Sequence, residues 1–328
     1  MNILFILGNG FDLAQGLKTS YSDFYDYLQA VTPKSALERK VMLDIEADYK
    51  TWADMEEALG KYSSKWKDSQ DFLSVVSFLK GHLKDYLQTQ NDAVSGMNLS
   101  TEKLVNDICF PERHLSPKGQ YVFDSLSIAT STNRIIRCVT FNYTNTFEQV
   151  LSSAIRDSRV LRKQGDLQIS FKDIMHIHGA LDDMTLLGVN DVDQIDNIAF
   201  RDNQGLIEEF VKPEVNEGCE NARNDFFERW IREANVIVIF GVSMGVTDNR
   251  WWRAIGNVLN RDSYSPPIVF YFPFDPGKNV DEHKNYLRRW SNEFTSFLRQ
   301  RMDLKISEKA INNHVLVGIN SGIFRLNK

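Results

Sequence analysis

The chain opens on a short apolar run, Ile3 to Leu7, that stops at Gly8-Asn9-Gly10. A run of that length closed by glycines reads as a strand buried on both faces, the kind found in parallel sheets. Similar runs return at Ile135–Phe141, Ile174–His178, Val236–Phe240, Ile268–Phe272 and Val315–Ile319. Helical patterns separate most of them: Thr144–Arg156, Asn224–Ala234, Asp248–Leu259 and His283–Arg301. Strands alternating with helices predict an α/β fold built on a doubly wound, mainly parallel, Rossmann-like sheet.

One stretch breaks the alternation. Between residues 21 and 130, YSDFYDYLQAV, TWADMEEALGKYSSKW and FLSVVSFLKGHLKDYLQ repeat apolar residues at helical spacing. The expected organisation is a nucleotide-binding core of residues 1–20 and 131–328, interrupted by a large helical insertion over 21–130. Trp52 and Trp66 are expected in the core of that insertion. Asp182 to Asn221 shows little periodicity and reads as a long loop or lid.

Bulk properties narrow the function. A net charge of −6 over 328 residues weighs against a nucleic-acid partner, because phosphate binding wants a basic face. Cys109, Cys138 and Cys219 are too far apart for a CxxC zinc pair and too few for a disulfide framework, so no metal is expected. The N-terminus lacks the basic region of a signal peptide. No apolar run approaches the roughly 20 residues of a membrane span, which leaves the cytoplasm as the expected compartment and no membrane partner.

In an open parallel sheet, ligands bind beyond the carboxyl ends of the strands. Four such ends carry unusual residues. Gly8-Asn9-Gly10-Phe11-Asp12 joins glycines to a helix start, which suits a ligand phosphate or simply a tight turn. Asp12 is either a ligand contact or an N-cap. Thr140-Phe141-Asn142-Tyr143-Thr144-Asn145-Thr146 holds more side-chain hydrogen-bonding groups than capping requires. His176 and His178 alternate, which on a strand turns both to one face, yet no third metal ligand accompanies them. His178, just before Gly179, is a candidate acid/base or a structural histidine. Gly241-Val242-Ser243-Met244-Gly245 repeats the glycine turn and leads to Asp248, whose plain reading is an N-cap. Trp251 and Trp252 after it read as core rather than base-stacking residues.

These motifs, in this order, resemble the AbiH family of bacterial abortive-infection proteins, in LGNGFDLAQGLKTSYSDF, TWADMEE, FNYTNTFE, HIHGAL and FGVSMGVTD. A more distant similarity is to sirtuin-type NAD-binding proteins. Gly8–Asp12 with Gly16-Leu17 is similar to their glycine-rich loop, Thr140-Phe141-Asn142 to their Thr-Gln-Asn, His178-Gly179 to their catalytic His-Gly, and Gly241–Met244 to their Gly-Thr-Ser-Leu. Thr144 stands where sirtuins carry an aspartate, and their zinc cysteines are absent, which argues against deacetylation.

The resemblance implies an anti-phage protein that binds NAD and hydrolyses it to nicotinamide and ADP-ribose, with Asn142 and His178 as catalytic residues. It implies nucleotide contacts at Gly8, Asn9, Gly10, Phe11, Asp12, Thr140, Gly179, Gly241, Ser243 and Asp248. The alternative is a sensor that binds NAD or a related nucleotide without cleaving it, which Thr144 favours. A homo-oligomer and a phage-derived trigger are candidates for further partners.

Overall fold

Along the first strand, alternate residues go to opposite cores. Ile3, Phe5 and Leu7 join one apolar cluster, and Leu4 and Ile6 join another. This is the signature of a strand covered on both faces. The computed structural model describes residues 1–126, 133–155, 159–219, 221–260, 265–272, 296, 300, 308–318 and 321–327. Among them seven strands form one sheet: β1 (Asn2–Leu7), β2 (Asn133–Thr140), β3 (Val160–Gln164), β4 (Leu167–His176), β5 (Val236–Phe240), β6 (Ile268–Tyr271) and β7 (Val315–Gly318). Their order is β3-β4-β2-β1-β5-β6-β7. Every neighbouring pair is parallel except β3 with β4.

The antiparallel β3 is absent from the sequence reading, and β4 starts seven residues before the expected Ile174. Both belong to a hairpin that turns at Gly165, whose φ of +57° a glycine adopts without strain. The edge strand β3 is only partly covered and carries charge, so it lacks the continuous apolar run of a buried strand. The expected helix over His283–Arg301 falls, apart from residues 296 and 300, outside the described residues.

Helices cover both faces. On one, Leu104, Ile108, Phe123, Phe147 and Leu151 pack against Phe5, Cys138 and Val238. On the other, Phe227, Trp230, Trp251, Trp252 and Ile255 pack against Ile6, Ile237 and Phe270. Trp251 and Trp252 are thus core residues, 2% and 0% exposed.

A third core lies in the helices between residues 21 and 93. Phe24, Tyr25, Trp52, Leu59, Trp66, Phe72 and Leu79 form it, so Trp52 and Trp66 are buried as expected. Leu187, Val189, Ile195, Phe200, Leu206 and Phe210 belong to the same core. The stretch expected to be a long loop therefore differs: it folds into short helices, Ile198–Arg201, Gln204–Phe210 and Lys212–Gly218, against the helical region. Asn197 and Asn203 cap the first two through their side chains. Helices of four to seven residues are too short to show a 3.6-residue period, so the sequence carries no helical pattern there. Among the described residues no helix is long and apolar enough to cross a membrane.

Candidate functional site

Register puts the strand ends side by side. Leu7 pairs with Thr140 on one side and Phe240 on the other, and Thr140 pairs with His176. The segments that follow β1, β2, β4 and β5 therefore start at one level. Between them and the helical region lies a cavity of about 500 Å³. Asn9, Asp12, Asn142, His178, Ser243 and Asp248 line it from the sheet side, and Tyr21, Asp54, Glu56, Leu83 and Leu87 from the helical side.

Of the twelve residues expected in the site, Gly8, Asn9, Gly10, Asp12, Asn142, His178, Gly241, Ser243 and Asp248 line this cavity. Phe11, Thr140 and Gly179 do not. Phe11 points into the core, where its ring meets Phe147 and Phe324 at 5.6 Å. Thr140 is buried, and its Oγ1 accepts the N–H of Asn142 at 3.1 Å, so it shapes the turn rather than touching a ligand. Gly179 has a φ of +80°, and a side chain there would run into the carbonyl of Met184. Its requirement is conformational.

The two glycine turns serve each other. A Cβ on Gly241 would stand 2.6 Å from Gly10 Cα, and one on Gly8 would stand 2.6 Å from Gly241 O. Close approach of two backbones explains these glycines. The N–H groups expected to face a phosphate are also occupied: Gly8 donates to Phe240 O, Gly10 to Gly241 O, and Phe11 to Gly8 O.

Asp12 is 1% exposed and is not an N-cap, since it lies inside the short helix Gly10–Ala14. Burial pushes its pKa up to about 6, although Thr144, Thr146 and Asn142 beside it favour the charged form. Thr144 donates directly to its Oδ2. Oδ1 is buried without a hydrogen-bond partner among the described residues, as is Oδ1 of Asn142.

His178 meets Asp248, whose carboxylate lies 3.1 Å from Nε2. Asp248 does stand at the N-cap position of the following helix, but its side chain makes no capping hydrogen bond there. Its Oδ1 takes Nδ2 of Asn190 at 3.1 Å and lies 3.7 Å from Nζ of Lys212. Burial works against the Asp248 charge, but Lys212 and His178 outweigh it and hold its pKa below the ordinary value. His178 Nε2 thus lies between the Asp248 carboxylate at 3.1 Å and the Lys212 ammonium at 3.3 Å.

His176 has other partners. Its Nδ1 lies 2.7 Å from Asn142 O and its Nε2 2.6 Å from Glu148. The expectation that both histidines face one way fails because β4 ends at His176, and His178 lies in the turn beyond. His176 anchors the backbone that carries Asn142. Among the described residues no three His, Cys, Asp or Glu side chains are grouped as a metal site would require.

The family profile described as Bacteriophage abortive infection AbiH matches residues 4–270. The chain belongs to this family. It is thus an AbiH protein, of the phage abortive-infection type, and the matched span contains every residue that lines the cavity, from Gly8 to Asp248. No curated protein matches the chain significantly.

Two charged groups of this AbiH chain, Glu56 and Lys212, are not marked out by the sequence. Glu56, 6% exposed, lines the cavity, and its Oε1 is buried with no hydrogen-bond partner among the described residues. Its Oε2 pairs with Lys212 Nζ at 2.7 Å. Burial raises the Glu56 pKa despite that lysine. For Lys212 burial acts to lower the pKa, but Glu56 and Asp248 outweigh it, so the ammonium is retained. Glu56 lies in the TWADMEE segment, an AbiH-like motif that carried no assigned role. Lys212 lies in the stretch without periodicity, and nothing local marks it.

Proposed function

We propose that this AbiH protein hydrolyses the bond between nicotinamide and ribose in NAD, in a Rossmann-like pocket of the sirtuin type, and so arrests an infected cell by depleting NAD. The observation that carries this reading is that Asp12, Glu56 and Asn142, each with a buried side-chain oxygen unpartnered among the described residues, line one cavity together with the His178–Asp248 pair. A lining of carboxyl, amide and imidazole groups suits the hydroxyls of a ribose, which both donate and accept hydrogen bonds.

Departure of nicotinamide builds oxocarbenium-like positive charge on the sugar. The carboxyl groups of Asp12 and Glu56 favour that charge in a site with little water. Asn142 orients the ribose or the attacking water, and His178 takes the proton from that water. The bond electrons of C1′–N leave with nicotinamide, and oxygen from water completes ADP-ribose. Gly241 and Ser243 contact the adenosine half. The N–H groups of Val242, Ser243 and Met244 make no hydrogen bond to a described residue, so the diphosphate is assigned to this second turn rather than to Gly8–Phe11.

Purified protein incubated with NAD should release free nicotinamide and ADP-ribose. His178→Ala should slow release by roughly 10²–10⁴-fold while NAD still binds. Bound NAD that is never cleaved, even after infected-cell extract is added, would leave a nucleotide-binding sensor in place of the hydrolase.

A further inference from the structure

We infer that the cavity selects a ribosyl group joined to a positively charged base, and discriminates against the same ribosyl group carrying a neutral base. This rests on reading the cavity as the nucleotide site.

Among the described residues four carboxyl side chains line the cavity, Asp12, Asp54, Glu56 and Asp248, while no lysine or arginine does. Lys212 reaches the set from behind, 2.7 Å from Glu56 Oε2 and 3.7 Å from Asp248 Oδ1. Its single charge is shared mainly between these two carboxyls and acts on Asp54 as well, while Asp12 has no ion-pair partner among the described residues. Asp54 Oδ1 accepts the N–H groups of Glu56 and Glu57 at 3.1 Å, which orders the carboxyl without neutralising it.

The oxygens left over point the same way. Asp12 Oδ1 and Glu56 Oε1 are buried without a donor among the described residues. A cation held by such groups gains more than in bulk water, because the surroundings screen less. Anionic groups meet the ionised Asp248 and no basic side chain in the described lining, so the phosphates of a nucleotide stay at the rim, where Ser243 is exposed. Burial raises the pKa of Asp12, Asp54 and Glu56 and brings Asp12 to about 6, so near that pH an arriving cation draws a proton off Asp12. Binding is therefore coupled to proton release.

Nicotinamide riboside and its dihydro form share the ribose, the carboxamide and nearly the same outline, and differ in charge. Titrating the full-length protein with each by calorimetry should show the cation binding at least tenfold more tightly. Repeating the titration in two buffers of different ionisation enthalpy near pH 6 should reveal protons released with the cation alone. Asp12→Asn should narrow the affinity ratio. If that variant does not fold, Asp54→Asn, whose amide oxygen can keep the helix cap, should narrow it as well. Equal affinities would overturn the inference while leaving NAD hydrolysis intact, because nicotinamide release from NAD is measured separately. NAD binding with neither riboside bound would also overturn it, placing recognition outside the cavity. Failure of NAD and both ribosides to bind would remove the nucleotide site itself.

Discussion

Lys212 and Glu56 are 156 residues apart in the chain, yet Nζ and Oε2 meet at 2.7 Å in a buried pair. Glu56 belongs to the helix Met55–Tyr62, and Lys212 begins the helix Lys212–Gly218. Lys212 Nζ also lies 3.3 Å from His178 Nε2 and 3.7 Å from Asp248. One ammonium thus ties the helical region to the turn after β4 and to the segment after β5. The position of His178 therefore depends on the helical region, although no residue of that region is near it in sequence.

Lys212→Met should destabilise the fold by about 3–5 kcal/mol, the usual effect of leaving a buried charge without its partner. Adding Glu56→Gln should recover part of the loss, because one of the two stranded carboxyls is then neutral. Urea unfolding of the two variants measures both effects. A Lys212→Met protein as stable as the wild type would mean that Glu56 takes up a proton at little cost.

Gly10→Ala should lower stability as well as ligand binding, because the new methyl group runs into the Gly241 backbone. Overpacking against a rigid neighbour costs about 1–3 kcal/mol, and backbone gives less readily than a side chain. Thermal melting distinguishes the causes. Unchanged melting with lost NAD binding would assign the glycine to the ligand instead of to the packing of the two turns.

Stability should fall as Asp12 ionises. Its pKa of about 6 in the folded protein lies above the ordinary value of 3.8. The folded state thus holds this proton more tightly, so the contribution is complete below the ordinary value and is lost as pH rises through about 6. Asp12→Asn cannot ionise. Its stability relative to wild type should therefore improve across that window by an amount on the order of 3 kcal/mol, since one pKa unit corresponds to about 1.4 kcal/mol. Urea midpoints taken on both sides of the window test this, and parallel pH profiles would refute the assignment.

Asp248→Asn should reduce nicotinamide release mainly through turnover, by less than His178→Ala does. The amide keeps hydrogen-bonding contact but removes the negative charge that steadies the imidazole as it takes up a proton. Steady-state kinetics with NAD should show kcat falling with KM nearly unchanged. A rise in KM with kcat intact would instead make Asp248 a substrate contact.

Trp52→Ala should cost about 3–5 kcal/mol, as expected for deleting a buried aromatic ring. The ring is 3% exposed, packs edge-on against Tyr25 and Tyr62, and lies in the core of the helical region. The melting temperature reads the loss, and a variant of unchanged stability would show that the helical core closes over the gap.

The amino-acid sequence alone determined the parallel sheet and its edge of polar segments. Apolar runs of four to six residues between amphipathic helices have few other ways to bury themselves, so β1, β5 and β6 were legible from Ile3–Leu7, Val236–Phe240 and Ile268–Phe272. The same logic put Asn142, His178 and Asp248 at one edge, because residues that follow adjacent parallel strands emerge together. Tertiary structure alone decided what those residues do. Asp248 looks like an N-cap until His178, Asn190 and Lys212 are found around it. Glycines at 8, 10 and 241 look like phosphate contacts until two backbones are seen to touch. Lys212 carries no local signal at all, because its charge has meaning only through Glu56 and Asp248 in distant segments. Local patterns record which face a residue buries, whereas the protonation and partners of a buried charge depend on groups that only the complete fold brings within a few ångströms.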